Sequence, residues 1–186
     1  EFRKFTDSVM NKRLSYMAFM TLYWTGMRLG ELLALNPKDV DLKKRTISIT
    51  KSYQRLGKKD VITPPKTPKS KRVITIPEFL AADIKDYMDS LYDLQEDDRL
   101  FPITKYYLEH EMQRGIKESG VKRIRVHDLR HSHASMLIEL GFSPLEIANR
   151  LGHEKVETTL NTYAHLYPNK QTKLAERLDS EYREDL

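Results

Sequence analysis

SPLEIANRLGHEKVETTLNTYAHL, Ser143 to Leu166, decides whether this end of the chain is one long helix or two helices joined by a bend. Ser143 is a helix cap with Pro144 at the first helical position and Glu146 three residues after the cap, a capping box. Leu145, Ile147, Ala148 and Leu151 give the helix its apolar face, and Gly152 can take the left-handed conformation that closes it. His153 then falls in the turn. A second helix carries Val156, Thr159, Leu160 and Tyr163 at i, i+3, i+4 and i+7. Without the bend, ten residues at about 3.6 per turn would put His153 and Tyr163 on different faces of one helix. From this segment alone, Tyr163 is the last aromatic of an apolar stripe, with its hydroxyl bonded at the surface.

Upstream, the pattern is mostly helical with one strand-rich insert. Residues 2 to 11 and 13 to 25 read as helices, the second turning Tyr16, Met17, Met20, Tyr23 and Trp24 toward a core, and Gly26 stops it. GELLALN is a short helix that ends at Asn36-Pro37, because proline disfavours helical geometry in the residue before it. TISIT, DVIT and RVITIP are short and β-branched, which predicts a three-stranded antiparallel meander with two hairpin loops. Helices resume at about 78 to 93, 104 to 118, 128 to 140, 144 to 151, 156 to 165 and 168 to 183. The fold class expected is α+β, mainly helical with a small three-stranded antiparallel insert.

The chain of 186 residues, 39% apolar, can bury one full core. Its longest uncharged run, between Arg13 and Arg28, is shorter than the roughly 20 apolar residues that cross a bilayer. There are no cysteines and no apolar leader, so a cytoplasmic setting is expected. Glu1 stands where a start methionine would, as in a fragment whose N-terminal part is missing. A net charge of +5 favours a polyanionic partner only weakly, but its distribution says more. Lys66, Lys69, Lys71 and Arg72 crowd the loop PPKTPKSKR, and Lys122, Arg123 and Arg125 precede a histidine-rich helix. A solvated charged surface is the ordinary explanation of each cluster.

In VHDLRHSHASMLIELG, His127 and Arg130 are three apart and share a face near the N-terminus of a helix, where free N–H groups and the dipole suit an anion. Leu129, Met136, Leu137 and Leu140 form the buried stripe. His127 and His131 have the i, i+4 spacing of a metal pair, yet Asp128 stands where a zincin has Glu, and Arg130 would set a fixed cation beside the ion. No metal and no cofactor are therefore expected. Arg28, in the break between two apolar helices, needs an acceptor, and Glu31 three residues on can supply it.

Together these residues resemble the catalytic domain of the tyrosine recombinases, the phage-integrase family, of the phage or conjugative-transposon type. TGMRLGELLAL is similar to the family's first box with its arginine at Arg28, and PKTPKSKRVITIP to its β-hairpin lysine, Lys66. HDLRH is similar to the second-box H-x-x-R, and LGHEKVETTLNTYAHL to the final histidine and nucleophilic tyrosine. The boxes fall in family order from about Tyr16 to Tyr167. The gap from His153 to Tyr163 is one residue longer than in many members, as among conjugative-transposon and phage integrases. On this resemblance residues 1–186 are the catalytic domain with a tail helix, and the N-terminal DNA-binding domains are absent.

The resemblance implies strand cleavage and rejoining in double-stranded DNA through a 3′-phosphotyrosyl intermediate, without metal or ATP. Tyr163, a phenol with an ordinary pKa of about 10, would be the nucleophile. Arg28 and Arg130 would stabilise the phosphoryl oxygens bidentately, and Lys66 would protonate the leaving 5′-oxygen. His127 and His153 would bond the phosphate and handle the nucleophile's proton. Glu31 and Asp128 would orient these cations, while Lys69, Lys71, Arg72, Lys122, Arg123 and Arg125 would touch DNA. The tail, with Leu174, Leu178 and Tyr182 on a stripe, would dock in cis or, as in the family, on a neighbouring protomer of a synaptic tetramer. Two other classes stay open. A helix-turn-helix regulator over 143 to 165 would set Glu154 and Glu157 against phosphates, and a type IB topoisomerase would use similar residues only to relax supercoils.

Overall fold

The computed structural model describes residues 1–57, 59–65, 67–167 and 171–184, and in the last helix the side chains of 175–183. Helices α1 (Phe2–Val9), α2 (Arg13–Thr25) and α3 (Leu29–Leu33) come first, followed by strands β1 (Val40–Asp41), β2 (Thr46–Ile49), β3 (Ser52–Leu56), β4 (Lys59–Thr63) and β5 (Arg72–Thr75). Helices α4 (Glu78–Asp89), α5 (Lys105–Ser119), α6 (Asp128–Glu139), α7 (Pro144–Leu151), α8 (Val156–Tyr163) and α9 (Gln171–Glu184) complete the described elements. A 3-10 turn, Ala164–Leu166, extends α8. Among the described residues, no helix is long and apolar enough to cross a membrane.

The mainly helical class with small antiparallel sheets is observed, but the strands pair differently from the expected meander. β2 lies between β1 and β5, both antiparallel, while β3 and β4 form a separate hairpin. Burial explains the choice. Ile47 and Ile49 of β2 and Ile74 of β5 are buried on one face, with Ile47 opposite Ile74 in the register. In β4, by contrast, Ile62 is exposed and Val61 only half-covered, so its β-branched residues mark extended backbone without marking a core face. The chain therefore skips DVIT and returns RVIT to TISI.

The main core gathers Phe5, Val9, Phe19, Leu32, Ile47, Ile74, Leu80, Tyr87, Phe101, Leu108 and Leu129 with their neighbours from α1 to α6. A second, smaller cluster joins Ala134 and Ile138 of α6, Ile147 and Leu151 of α7, and Tyr163 of α8. This second cluster seats Tyr163 against α6. Leu178 and Tyr182 of α9 are 62% and 70% exposed, so docking of the tail in cis, one of the two expectations for it, is not what these side chains do. Leu174 lies outside the described side chains.

Candidate active site

Three backbone carbonyls at the end of α7 organise the site. A helix leaves its last carbonyls without intrahelical partners, at the negative end of its dipole. Here Arg72 Nε donates to Arg150 O at 2.8 Å, Arg130 Nη2 to Leu151 O at 2.8 Å, and Arg28 Nη2 to Gly152 O at 3.3 Å. Arginines from β5, α6 and the start of α3 thus meet one turn. Gly152, at φ 69°, closes α7 as expected, and a Cβ there would stand 2.9 Å from Arg72 Nη1.

Glu31 holds two of these cations. Its carboxylate accepts from Arg28 Nη1 at 2.9 Å and from Arg72 at 3.1 and 2.9 Å, and also from the Arg28 backbone N–H at 2.8 Å. Burial alone would raise its pKa. The hydrogen bonds and charge of Arg72, with those of Arg28, outweigh burial and hold the carboxyl below its ordinary value. Arg72 is inside, its side chain 7% exposed, which corrects its expected place on a DNA-facing surface.

Arg130 is buried, and its other fork atom, Nη1, donates to Gly26 O at 2.7 Å. Burial and then the Arg28 charge depress its pKa to about 9, still charged at neutral pH. His153, in the turn, has Nδ1 2.8 Å from the buried hydroxyl of Thr159. Burial, then Arg130, Arg28 and Arg72, push His153 down to about 4, so its ring is neutral at pH 7. In the tautomer whose Nδ1 accepts from Thr159, Nε2 carries the proton and is a donor to an anion. Tyr163 is 4% exposed; burial raises its pKa, opposed by Arg130, and its hydroxyl lies 2.7 Å from His131 Nδ1. His127 is exposed at the start of α6 with its ring 5.1 Å from His131, edge to face. Partial desolvation, then His131 and Arg130, lower its pKa.

Of the residues singled out in the sequence, Arg28 and Arg130 meet at the turn that carries His153, the charge of Arg130 reaches Tyr163, and His127 is exposed at the entrance of α6. Lys66 lies outside the described residues. Its neighbours Pro65 and Thr67 line a cavity of about 330 Å³ shared with Arg28, Glu31 and His153. Asp128 does not orient Arg28 or Arg130: it pairs with Arg125 at 2.9 Å, capping the α6 entrance. Lys69 and Lys71 are exposed beside a cavity that His153 also lines, and Lys122 and Arg123 are exposed on the loop before α6. Arg125 and His127 border a larger groove of about 1110 Å³ that reaches Arg28.

A model described as the phage integrase family matches residues 2–170 of this chain. The chain belongs to the phage integrase family. Among this family's members, the ICEBs1 integrase of Bacillus subtilis is 35% identical over 193 residues, covering 96% of this chain and 52% of that protein. The integrase of Staphylococcus phage L54a is 33% identical over 175 residues, covering 83% and 49%. The chain therefore spans about half the length of the relatives it matches. A structure of the Tn1549 transposon integrase in complex with circular intermediate DNA superposes with a TM-score of 0.79 at 21% identity, over 97% of this chain and 64% of that one, which shows the shared tyrosine recombinase catalytic fold.

Proposed function

We propose that this phage integrase domain cleaves and rejoins double-stranded DNA at a specific site through a covalent 3′-phosphotyrosyl intermediate. One observation carries most weight. Arg130 is a guanidinium 5% exposed whose hydrogen bonds go to two carbonyls, and among the described residues no carboxylate lies within ion-pair distance of it. A buried cation that Glu31 reaches only beyond contact distance is costly, and a phosphate between Arg130, Arg28 and the Nε2 edge of His153 would relieve that cost. Each fork keeps N–H groups unspent after its carbonyl bonds, enough for bidentate phosphate contact.

In this role Tyr163 Oη attacks phosphorus, the Oη–P bond forms and the bond to the 5′-oxygen breaks. Lys66 delivers a proton to the departing 5′-oxygen. The phosphotyrosyl ester conserves the energy of the original diester, so rejoining to another strand needs neither ATP nor metal. The relatives' names, integrases of a phage and of ICEBs1, support a role in DNA integration. Leu178 and Tyr182, exposed on α9, support a tail that packs on a neighbouring protomer of a tetramer on synapsed DNA.

The test is incubation with a nicked duplex carrying the recombination site, in which cleavage traps the covalent product. A denaturant-resistant protein–DNA adduct is expected with the unaltered protein and none with Tyr163→Phe. An equal yield from both would remove Tyr163 from the chemistry.

A further inference from the structure

His131 was noticed in the sequence only for its spacing from His127, and it has no part in the chemistry set out so far. Its Nδ1 nevertheless lies 2.7 Å from the Tyr163 hydroxyl, inside the roughly 2.6–3.2 Å that proton transfer between heavy atoms requires. We infer that His131 is a catalytic residue, whose Nδ1 takes the proton of Tyr163 during strand cleavage and returns it during rejoining. This rests on the strand-transfer role of Tyr163 proposed above.

Three observations support it. The Tyr163 side chain is buried in the second core cluster, where the neutral phenol is favoured, so attack on phosphorus has to be accompanied by removal of the proton. The other histidines are less well placed. His153 Nδ1 is occupied by Thr159, and burial beside three arginines leaves its ring a weak base. Among the described hydrogen bonds, the Tyr163 hydroxyl is paired with His131 and not with His127. Finally, His131 also lines a cleft of about 440 Å³ with Asp128, Ser132 and Glu139. A proton taken from Tyr163 can thus be held on the ring or passed to water beside acidic groups.

The Tyr163 O–H bond breaks as Oη–P forms, and the proton goes to His131 Nδ1, giving an imidazolium. The 5′-oxygen leaves with a separate proton. In rejoining, a 5′-hydroxyl attacks phosphorus, Oη–P breaks, and the imidazolium gives its proton to the departing phenolate. Both directions therefore depend on His131.

Single-turnover adduct formation on the nicked duplex, with His131→Ala and His131→Asn beside the unaltered protein and Tyr163→Phe, tests this. The asparagine amide oxygen can accept the hydrogen bond of Tyr163 but cannot keep its proton. Alanine and asparagine are both expected to slow the adduct about 10²-fold, the lower end of general base contributions. Asparagine at the unaltered rate would reduce His131 to a positioning residue, and alanine at that rate would remove it altogether; either overturns the inference while leaving the strand-transfer role intact. An adduct indifferent to Tyr163→Phe would contradict the strand-transfer role and this one with it. A second measurement needs no DNA and no folded His131 variant. The ¹⁵N shifts of the His131 ring should show Nδ1 as an unprotonated hydrogen-bond acceptor that changes state in Tyr163→Phe, and an Nδ1 indifferent to that substitution would overturn the pairing.

Discussion

Arg72 stands in a run of exposed cations, between Lys71 and the first β-branched residue of β5, and its neighbours suggest one more surface charge. The fold instead turns it inward, where Glu31 and the α7 carbonyls take its donors. A sequence shows that a guanidinium needs acceptors but not which distant segment brings them, and Glu31 is 41 residues away. Glu31 as the partner of Arg28 was legible because it sits three positions along the same helix start. In the sequence Thr159 reads as part of an apolar stripe and His131 as half of a metal spacing. Their hydroxyl and imidazole matter through partners on other elements. Arg72→Met should destabilise the domain by about 3 kcal/mol in chemical denaturation, the lower end for breaking a buried ion pair. Combined with Glu31→Gln, the loss should be smaller than the sum of the two, because the residues share one network. Additive losses would contradict that coupling. Lys71→Ala, by contrast, should change stability by less than about 0.5 kcal/mol while lowering the salt dependence of DNA binding by about one phosphate contact.

At the scale of elements, the helix boundaries were the most readable feature. The Ser143 box and Gly152 fixed α7, and α2 ends at Gly26 in the left-handed region, as the apolar run followed by glycine implies. The strands were less readable, since β-propensity identified extended segments but pairing depended on which of them had a buried face. The C-terminus of α7 now has a second function beside ending a helix: it aligns Arg72, Arg130 and Arg28 on successive carbonyls. Gly152→Ala would force a side chain into a left-handed backbone, at about 1–2 kcal/mol, and would also press on Arg72. The expected result is a drop in Tm of about 2–8 °C with adduct formation reduced more than in a surface variant of equal Tm. A normal adduct rate would separate the turn from the chemistry.

For the whole molecule, the buried His133 and the half-buried His153 set a dependence on acidity. His133, buried and then influenced by Arg150, has its pKa pushed down to about 3, and His153 is at about 4, against an ordinary value of about 6.5. Below about 6.5 the unfolded chain binds protons that the folded chain refuses, so stability falls as pH is lowered from 7 toward 3. The carboxylates held low, Glu31 and Glu111, release their contribution only below their ordinary value of 4.5, so the loss between pH 6.5 and 5 belongs to the histidines. Thermal unfolding at pH 7, 6 and 5 should show that loss, and His133→Gln should flatten it; an unchanged slope would contradict the assignment. The exposed face of α9 makes a different prediction about assembly. Removal of residues 168 to 186 should weaken DNA-dependent oligomerisation, read by sedimentation, more than single-strand cleavage, and equal losses of both would count against a tail that joins protomers.

Everything about the site turns on which atom of the protein becomes bonded to DNA. After reaction with the nicked duplex, nuclease digestion and tandem mass spectrometry of the proteolysed adduct can locate the modified residue and the DNA end attached to it. A nucleotide joined through its 3′-phosphate to Tyr163 is the predicted result, and a nucleotide on any other side chain, or attachment through a 5′-phosphate, would contradict it.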